Sequence, residues 1–414
     1  MKLKTTLAFL VLPLAISSAY ADEGDGMPTF TFGGFGTAAL TKSNSDDAEF
    51  IRPNQVRGVT TNAKNSVDSN FGFQATAKFN NWLTFTGQGL VRKIATDDFT
   101  AELAWAFAKA KISDNVSVRV GRFGLPVYMI SEYRSLGYAS TMMRPPVEMY
   151  SQVPIESVDG ADVIYQTSFG DTSFTGQLAL GQTEQDFSSG FSGKFTKMTA
   201  INLVAENGPF TFRFGRADTT INISNYTALN SLVGGLRAFS ANPGLETAFG
   251  LKAAANQIEL KDAKGSFTSV GMSLDWKNII VQAEYGKRKA NRLSLADSSS
   301  WYTMLGYRIG KFTPYFNHAS VKKDSANFIS GLPTSGALPP QLLAVTNGAN
   351  YVASNGAIQN SNSLGLRWDF YKSAAFKMQL DRFSPERGSG TFTNAKPTFT
   401  GPVTVFAAGV DFVF

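Results

Sequence analysis

Phe71-Gly72-Phe73-Gln74-Ala75-Thr76-Ala77-Lys78-Phe79 runs into Asn80-Asn81 and continues as Trp82-Leu83-Thr84-Phe85-Thr86-Gly87-Gln88-Gly89-Leu90-Val91-Arg92. In the first run Phe71, Phe73, Ala75, Ala77 and Phe79 alternate with Gly72, Gln74, Thr76 and Lys78. In the second, Leu83, Phe85, Gly87, Gly89 and Val91 alternate with Thr84, Thr86, Gln88 and Arg92. A period of two places successive side chains on opposite faces of a β-strand. The two runs therefore read as a hairpin, apolar on one face and polar on the other, turning at Asn80-Asn81.

The pattern recurs along the chain. Leu364, Leu366, Trp368 and Phe370 interleave with Gly365, Arg367 and Asp369, and Phe376, Met378 and Leu380 with Lys377, Gln379 and Asp381. The spacing predicts strands over 29–42, 69–79, 82–93, 99–112, 116–123, 160–168, 173–184, 196–205, 210–220, 266–276, 279–289, 299–309, 312–321, 361–371, 375–384 and 403–414. Sixteen is the count, with fourteen or eighteen also open. Each segment is near the 9–11 residues that a tilted strand needs to cross a bilayer. Pro314 lies close to the start of its strand, where a missing donor costs least.

A soluble β-sandwich alternates too, but its turns come at even intervals. Here very short turns (Asn80-Asn81, Ser113-Asp114-Asn115, Lys277-Asn278, Gly310-Lys311) take turns with long polar segments such as Ser43–Asp68, Pro126–Asp159, Ser224–Gly265 and Lys322–Asn360. Short turns on one side and long loops on the other are the pattern of a transmembrane antiparallel β-barrel with short periplasmic turns and long extracellular loops. Phe79, Trp82, Trp276, Phe312 and Phe376 crowd the short turns, as an interfacial girdle would. The fold class is all-β, and residues 22–414 form one barrel.

Residues 1–21 read as a secretory leader. Lys2 and Lys4 precede the apolar run Leu7–Ile16, and Ala19-Tyr20-Ala21 supplies a cleavage site that would leave Asp22 first. The run is too short to span a bilayer as a helix. Composition excludes more. With Cys 0 and His 1 among 414 residues there is neither a disulfide framework nor a thiolate or multi-histidine metal site. No cofactor is expected. Charged residues are 17%, below the roughly 25% of soluble proteins.

The last strand, Val403–Phe414, carries Phe406, Ala408, Val410, Phe412 and Phe414 on one face. Its terminal aromatic resembles the assembly signal of bacterial outer-membrane barrels, and the whole mature chain resembles the Gram-negative porin superfamily. Gly121-Arg122-Phe123-Gly124-Leu125-Pro126, continuing through Ser131-Glu132-Tyr133 to Arg144-Pro145-Pro146, resembles a stretch of large porin-like proteins. The resemblance implies an outer-membrane homotrimer that passes small hydrophilic solutes by passive diffusion, with 123–159 as a constriction loop. The Pro-Glu-Phe-Gly loop tip of general porins is absent.

With apolar faces toward lipid, the opposite set lines the lumen: Arg92, Arg119, Arg213, Arg288, Arg308, Arg367 and Lys377 against Glu102, Asp162, Asp275, Glu284, Asp369 and Asp381. Near balance predicts weak ion selectivity. From the resemblance, Arg92, Arg119 and Arg213 would face Glu132, Glu148 and Glu156 of the loop across the constriction, unless these charges are merely solvated. Arg134 and Arg144 could instead pair with the loop's own carboxylates. Lys287, Arg288, Lys289 and Arg292 form the densest basic cluster, either a solvated loop or a site for lipopolysaccharide phosphates. Nucleic acid is not an expected partner for an exported barrel.

Three smaller features have plain readings. Asp46, Asp47 and Glu49 could bind a hard cation but are common loop acids. Leu229, Leu232 and Leu236 suggest a helical turn, which Gly234-Gly235 weakens. His318 falls in register with Phe312, Pro314 and Phe316 on the lipid face without a serine nucleophile, so a barrel enzyme is the remote alternative. A channel preferring sugars, dicarboxylates or phosphate is the nearer one.

Overall fold

The computed structural model describes residues 28–187 and 190–414. The expected leader lies outside the described residues. Sixteen strands follow in order: β1 (Thr29–Ser43), β2 (Asn70–Lys78), β3 (Leu83–Lys93), β4 (Phe99–Lys111), β5 (Val116–Gly124), β6 (Ser157–Phe169), β7 (Thr172–Asp186) and β8 (Ser192–Asn207). The second half comprises β9 (Phe210–Ser224), β10 (Ala263–Trp276), β11 (Ile279–Ala290), β12 (Ser298–Tyr307), β13 (Phe312–Lys323), β14 (Ile358–Tyr371), β15 (Ala374–Arg387) and β16 (Val403–Val413). Each pairs antiparallel with its sequence neighbours, and β1 closes on β16 from Phe35↔Val413 to Ser43↔Val405. Beyond the ladder, Gly34 and Phe414 exchange backbone hydrogen bonds of 2.9 and 3.0 Å. The result is a closed barrel with no open edge, the form a sheet must take in lipid.

Alternation sets the two faces as the sequence predicts. Outward-facing Phe30, Phe32, Phe71, Phe73, Phe85, Leu178, Leu203, Leu305, Leu364 and Phe406 are exposed, while the intervening residues turn inward. Phe79, Trp82, Trp276 and Phe312 stand exposed at the short-turn end. Pro314 sits one residue before the β12 ladder begins at Gly306↔Tyr315.

The strand limits depart from expectation where the ladder shifts. β8 begins at Ser192 rather than near 196, because Lys197 adopts a positive φ of 50° and the register shifts between Thr196 and Thr199. A bulge of this kind reverses face parity, so simple alternation loses the strand there. In β4 a shift opposite Gln88/Gly89 puts Trp105, paired with inward Gln88, on the face opposite exposed Leu103, paired with Gly89, although the two residues are two apart.

The long connections are not unstructured. The connection from β9 to β10 carries α2 (Thr227–Ser240), α3 (Pro243–Phe249) and α4 (Leu251–Ile258), and α5 (Pro340–Ser354) lies between β13 and β14. The predicted helical turn is a full helix. Leu229, Val233 and Leu236 of α2 are buried in a core that includes Leu251, Ala255 and Ile258 of α4 and Leu342 and Ala349 of α5. That core also takes in the inward residues Phe195 and Met198 of β8 and Ile221 of β9, so the helices cap one side of the barrel mouth.

Gly121, Gly160 and Gly181 lie in register across β5, β6 and β7. Gly121 has φ +129°, and a Cβ there would stand 2.2 Å from the Ala106 carbonyl oxygen. A side chain would have to adopt strained backbone and displace a neighbouring strand. Gly121→Ala should therefore destabilise the refolded barrel by at least about 1–3 kcal/mol, read as a shift in urea midpoint. Gly87→Ala, with nothing within 4 Å of its Cβ, should leave the midpoint nearly unchanged.

Candidate functional site

The long connection between β5 and β6, residues 125–156, lies against the inner wall. Its apolar side explains part of the placement. Leu125, Val127, Tyr128, Met149, Tyr150 and Ile155 share a buried core with inward-facing Phe267, Tyr302, Met304 and Tyr315 of β10, β12 and β13. Tyr128 stacks on Tyr150 with centroids 4.6 Å apart. The inner face is thus not uniformly wet, contrary to the alternation reading. On the β10–β13 side it is a hydrophobic seat for the loop.

The loop's backbone is then tied down by wall side chains. Arg213 donates to the Met129 carbonyl at 2.9 Å, and the Met129 N–H donates to Glu284 at 2.9 Å. The Tyr150 hydroxyl donates to the other Glu284 oxygen at 2.8 Å. Arg288 donates to the Gln152 carbonyl at 3.1 Å, and Arg367 to the carbonyls of Tyr138 and Ser140 at 2.7 and 2.8 Å. Lys377 donates to those of Gly137 and Met142 at 2.7 and 3.0 Å. Tyr315 and Gln379 both receive the Met143 N–H at 3.1 Å. Bonds involving a charged partner contribute roughly 1.5–3 kcal/mol each where buried.

The expected wall charges mostly meet each other along the wall rather than across the lumen. Arg119 pairs with Asp162 at 2.6 Å across the β5–β6 register, and Arg308 with Asp275 at 2.6 Å at the short-turn rim. Arg367 pairs with Asp369 at 2.8 Å, and fully buried Lys377 with Asp411 at 2.8 Å. Adjacent strands lie only about 4.8 Å apart, so register makes neighbours of charges distant in sequence. Arg213 bonds Asn202 at 2.6 Å.

Only part of the facing arrangement comes together as pictured. Arg92 contacts Glu156 at 2.8 Å and Glu102 at 2.7 Å, and Arg134 closes on Glu156 from the loop side at 2.5 Å. Glu132 stays half exposed, 3.9 Å from Arg119. Glu148 does not reach the wall arginines. It sits in the short helix α1 (Val147–Tyr150), completely buried, where Gln359 of β14 donates to it at 2.7 Å. Burial pushes its carboxyl above the ordinary range. Arg144, also buried, stands 3.2 Å from Asp68 and 3.7 Å from Asp381, with its guanidinium over Phe50.

Sequence reading missed Asp411, Asp68, Gln359 and Tyr315. Asp411 carried a signal: an acid on the inward face of β16 among Val405, Ala407 and Gly409. It accepts from Thr37 and Lys377, and Gly137 approaches so closely that a Cβ would lie 2.2 Å from its oxygen.

The basic cluster is divided by the same alternation. Lys287 and Lys289 are exposed on the outer face of β11, whereas Arg288 points inward to the Ala296 and Gln152 carbonyls. Arg292 donates to the Glu259 carbonyl. The first-loop acids take separate partners: Asp46 accepts from Thr61, Asp47 pairs with Lys396, and Glu49 with Arg57. His318 lies beside Trp301 on the outer wall, its ring nitrogen 2.9 Å from the Asn362 oxygen.

Opposite the seat, a cavity of about 610 Å³ separates the loop from β1–β4 and β7. Gln74, Gln88, Arg92 and Glu102 line it from the wall, and Glu132, Tyr133 and Arg134 from the loop. No family model matches the chain, and no curated protein does. Solved structures do. An OmpF of Salmonella typhi, in complex with daunomycin, aligns with TM-score 0.55 at 14% identity over 94% of this chain and 98% of its own. The outer membrane channel DcaP of Acinetobacter baumannii gives 0.53 at 9% over 94% and 98%. An anion-selective porin of Comamonas acidovorans gives 0.51 at 11% over 94% and 100%. The fold is that of the porins.

Two predictions follow from the contacts. Lys377→Met leaves Asp411 buried without its cation, which should cost roughly 3–5 kcal/mol in urea unfolding. Lys377→Met combined with Asp411→Asn should recover much of that loss. For Glu156, burial raises the carboxyl, but Arg134 and Arg92 outweigh it and hold the pKa at about 2. A depressed folded value means the pairing stabilises above the ordinary carboxylate pKa and is lost only as pH falls toward 2. The barrel's stability difference between wild type and Glu156→Gln should thus be equal at pH 7 and pH 5. Below about pH 4.5 that difference should shrink as pH falls toward 2, whereas a difference unchanged over that range would mark an ordinary carboxylate.

Proposed function

We propose that the chain is an outer-membrane channel through which small hydrophilic solutes diffuse passively along the cavity beside the pinned loop, without cofactor or turnover. One observation carries this reading: a closed barrel with an apolar belt encloses a cavity of about 610 Å³ lined by charged and amide side chains. The fold neighbours support it, since two are described as a porin and a channel. In this reading residues 125–156 are the constriction, and Arg92, Glu102, Glu132, Arg134 and Glu156 set the field in it. Arg119, Asp162 and Arg308 contribute little, being neutralised by wall partners. Arg213, Arg367, Lys377 and Glu148 act by fixing the loop.

A substrate-preferring channel is favoured over an unselective one by a single feature. The loop is bonded to the wall from β9 round to β15, so passage is confined to one side of the lumen. The barrel enzyme receives no support from His318, which faces outward.

The same reading places membrane lipid against the apolar belt and lipopolysaccharide phosphates at Lys287 and Lys289. It also assigns a homotrimer. Ala75, Ala77, Gly87, Ala106 and Ala108 make a shallow apolar recess outside β2–β4, edged by Phe30, Phe85 and Val120, where a second barrel can approach closely.

In planar bilayers the purified protein should give discrete ohmic steps. Its unheated form should run on gels as a trimer that dissociates on boiling. Absence of any conductance from a folded barrel would overturn the channel reading, and a monomeric unheated band would overturn the trimer.

A further inference from the structure

The first long loop, residues 44–69, brings Arg52 into the barrel beside Arg92. The Arg52 backbone N–H donates to Gln55 at 3.0 Å, but its guanidinium has no hydrogen bond or ion pair among the described residues. It lines a recess of about 30 Å³ that shares Arg92, Arg134, Ser135 and Glu156 with the main cavity. Burial pushes the Arg52 guanidinium below its ordinary value, with Asp68 opposing that shift through space.

A second group in the recess is also unanswered. Asn70, the first residue of β2, lines it with a buried side-chain oxygen that has no partner. Turning that amide over presents its two N–H donors instead. Of the nearby acids, Glu156 is engaged by Arg92 and Arg134, while Asp68 holds the Thr41 hydroxyl at 2.6 Å and Arg144 through Oδ2, leaves Oδ1 without a partner, and does not line the recess. A fork of unpaired arginine donors beside an amide thus faces a space with room for one small group. The planar fork matches a planar carboxylate with two parallel hydrogen bonds.

We propose that Arg52 and Asn70 form a carboxylate-binding niche beside the passage, entered by a terminal carboxylate of a solute in transit. The proposal rests on the channel reading and deepens it. The niche gives carboxylate-bearing solutes a dwell site that neutral solutes of the same shape lack.

The test is single-channel recording in potassium chloride with glutarate or its neutral diamide, glutaramide, added on the long-loop side. Glutarate should reduce the current saturably, and glutaramide should not. Arg52→Gln should raise the half-blocking concentration roughly tenfold, the size of a lost charge-assisted pair. Arg57→Gln, in the same loop but paired outside the recess, should leave it unchanged. Arg52→Lys keeps the charge without the fork and should raise it at least about threefold, which decides the matter even where the glutamine variant does not assemble. Equal block by glutaramide, or unaltered glutarate block in the Arg52 variants, would overturn the niche. A conducting channel without glutarate block overturns the niche alone, whereas a folded wild type without conductance overturns the channel reading beneath it.

Discussion

Closure of β1 on β16 is the constraint on which everything else in the molecule depends. In lipid no backbone donor or acceptor has water to turn to, so the sheet must pair its last strand with its first. Once closed, every inward side chain stands on a fixed post beside two neighbours set by register. This explains why Arg119 meets Asp162 and Lys377 meets Asp411. The charges were not free to point across the lumen, because a partner was already within reach on the next strand.

What crosses the lumen instead is a segment of backbone. The β5–β6 loop offers carbonyl oxygens, and arginines and lysines of the wall donate to them. Cations placed this way act as anchors as well as charges. The aromatic seat under Tyr128 and Tyr150 makes one side dry, and the anchors hold the loop there. The opposite side keeps glutamines, Arg92 and Glu102 around open space. The lumen is therefore asymmetric, and the number of charges on its wall says less about permeation than which of them remain uncommitted.

The strands were legible in the sequence because one face meets lipid and the other does not. All sixteen expected segments overlap observed strands, and boundaries slipped where a bulge reversed parity, as around Lys197 in β8. The loop helices were largely hidden, although Asn242 capping a helix with Pro243 at its first position is a readable start signal. The site was legible by residue type but not by partner. Alternation identifies Arg119 and Asp162 as inward, but only register makes them neighbours. Nothing local marks Glu148 as buried or Arg52 as unpaired, since both depend on how long loops fold back through the barrel. The basic cluster at Lys287–Arg292 is divided between two faces for the opposite reason. Proximity in sequence was read as proximity on a surface, and a strand sends alternate residues to opposite sides.

The central claim is that solutes pass on the β1–β4 side while the loop seals the rest, and the absence of native cysteine makes it directly measurable. Single cysteines placed at Gln74, on the cavity, and at Ser363, buried on β14 against the loop residues Met142 and Arg144, can be exposed to a charged methanethiosulfonate reagent during single-channel recording. The account predicts a stepwise fall in current for Gln74→Cys and none for Ser363→Cys. A fall at Ser363→Cys with an unaffected Gln74→Cys would contradict it.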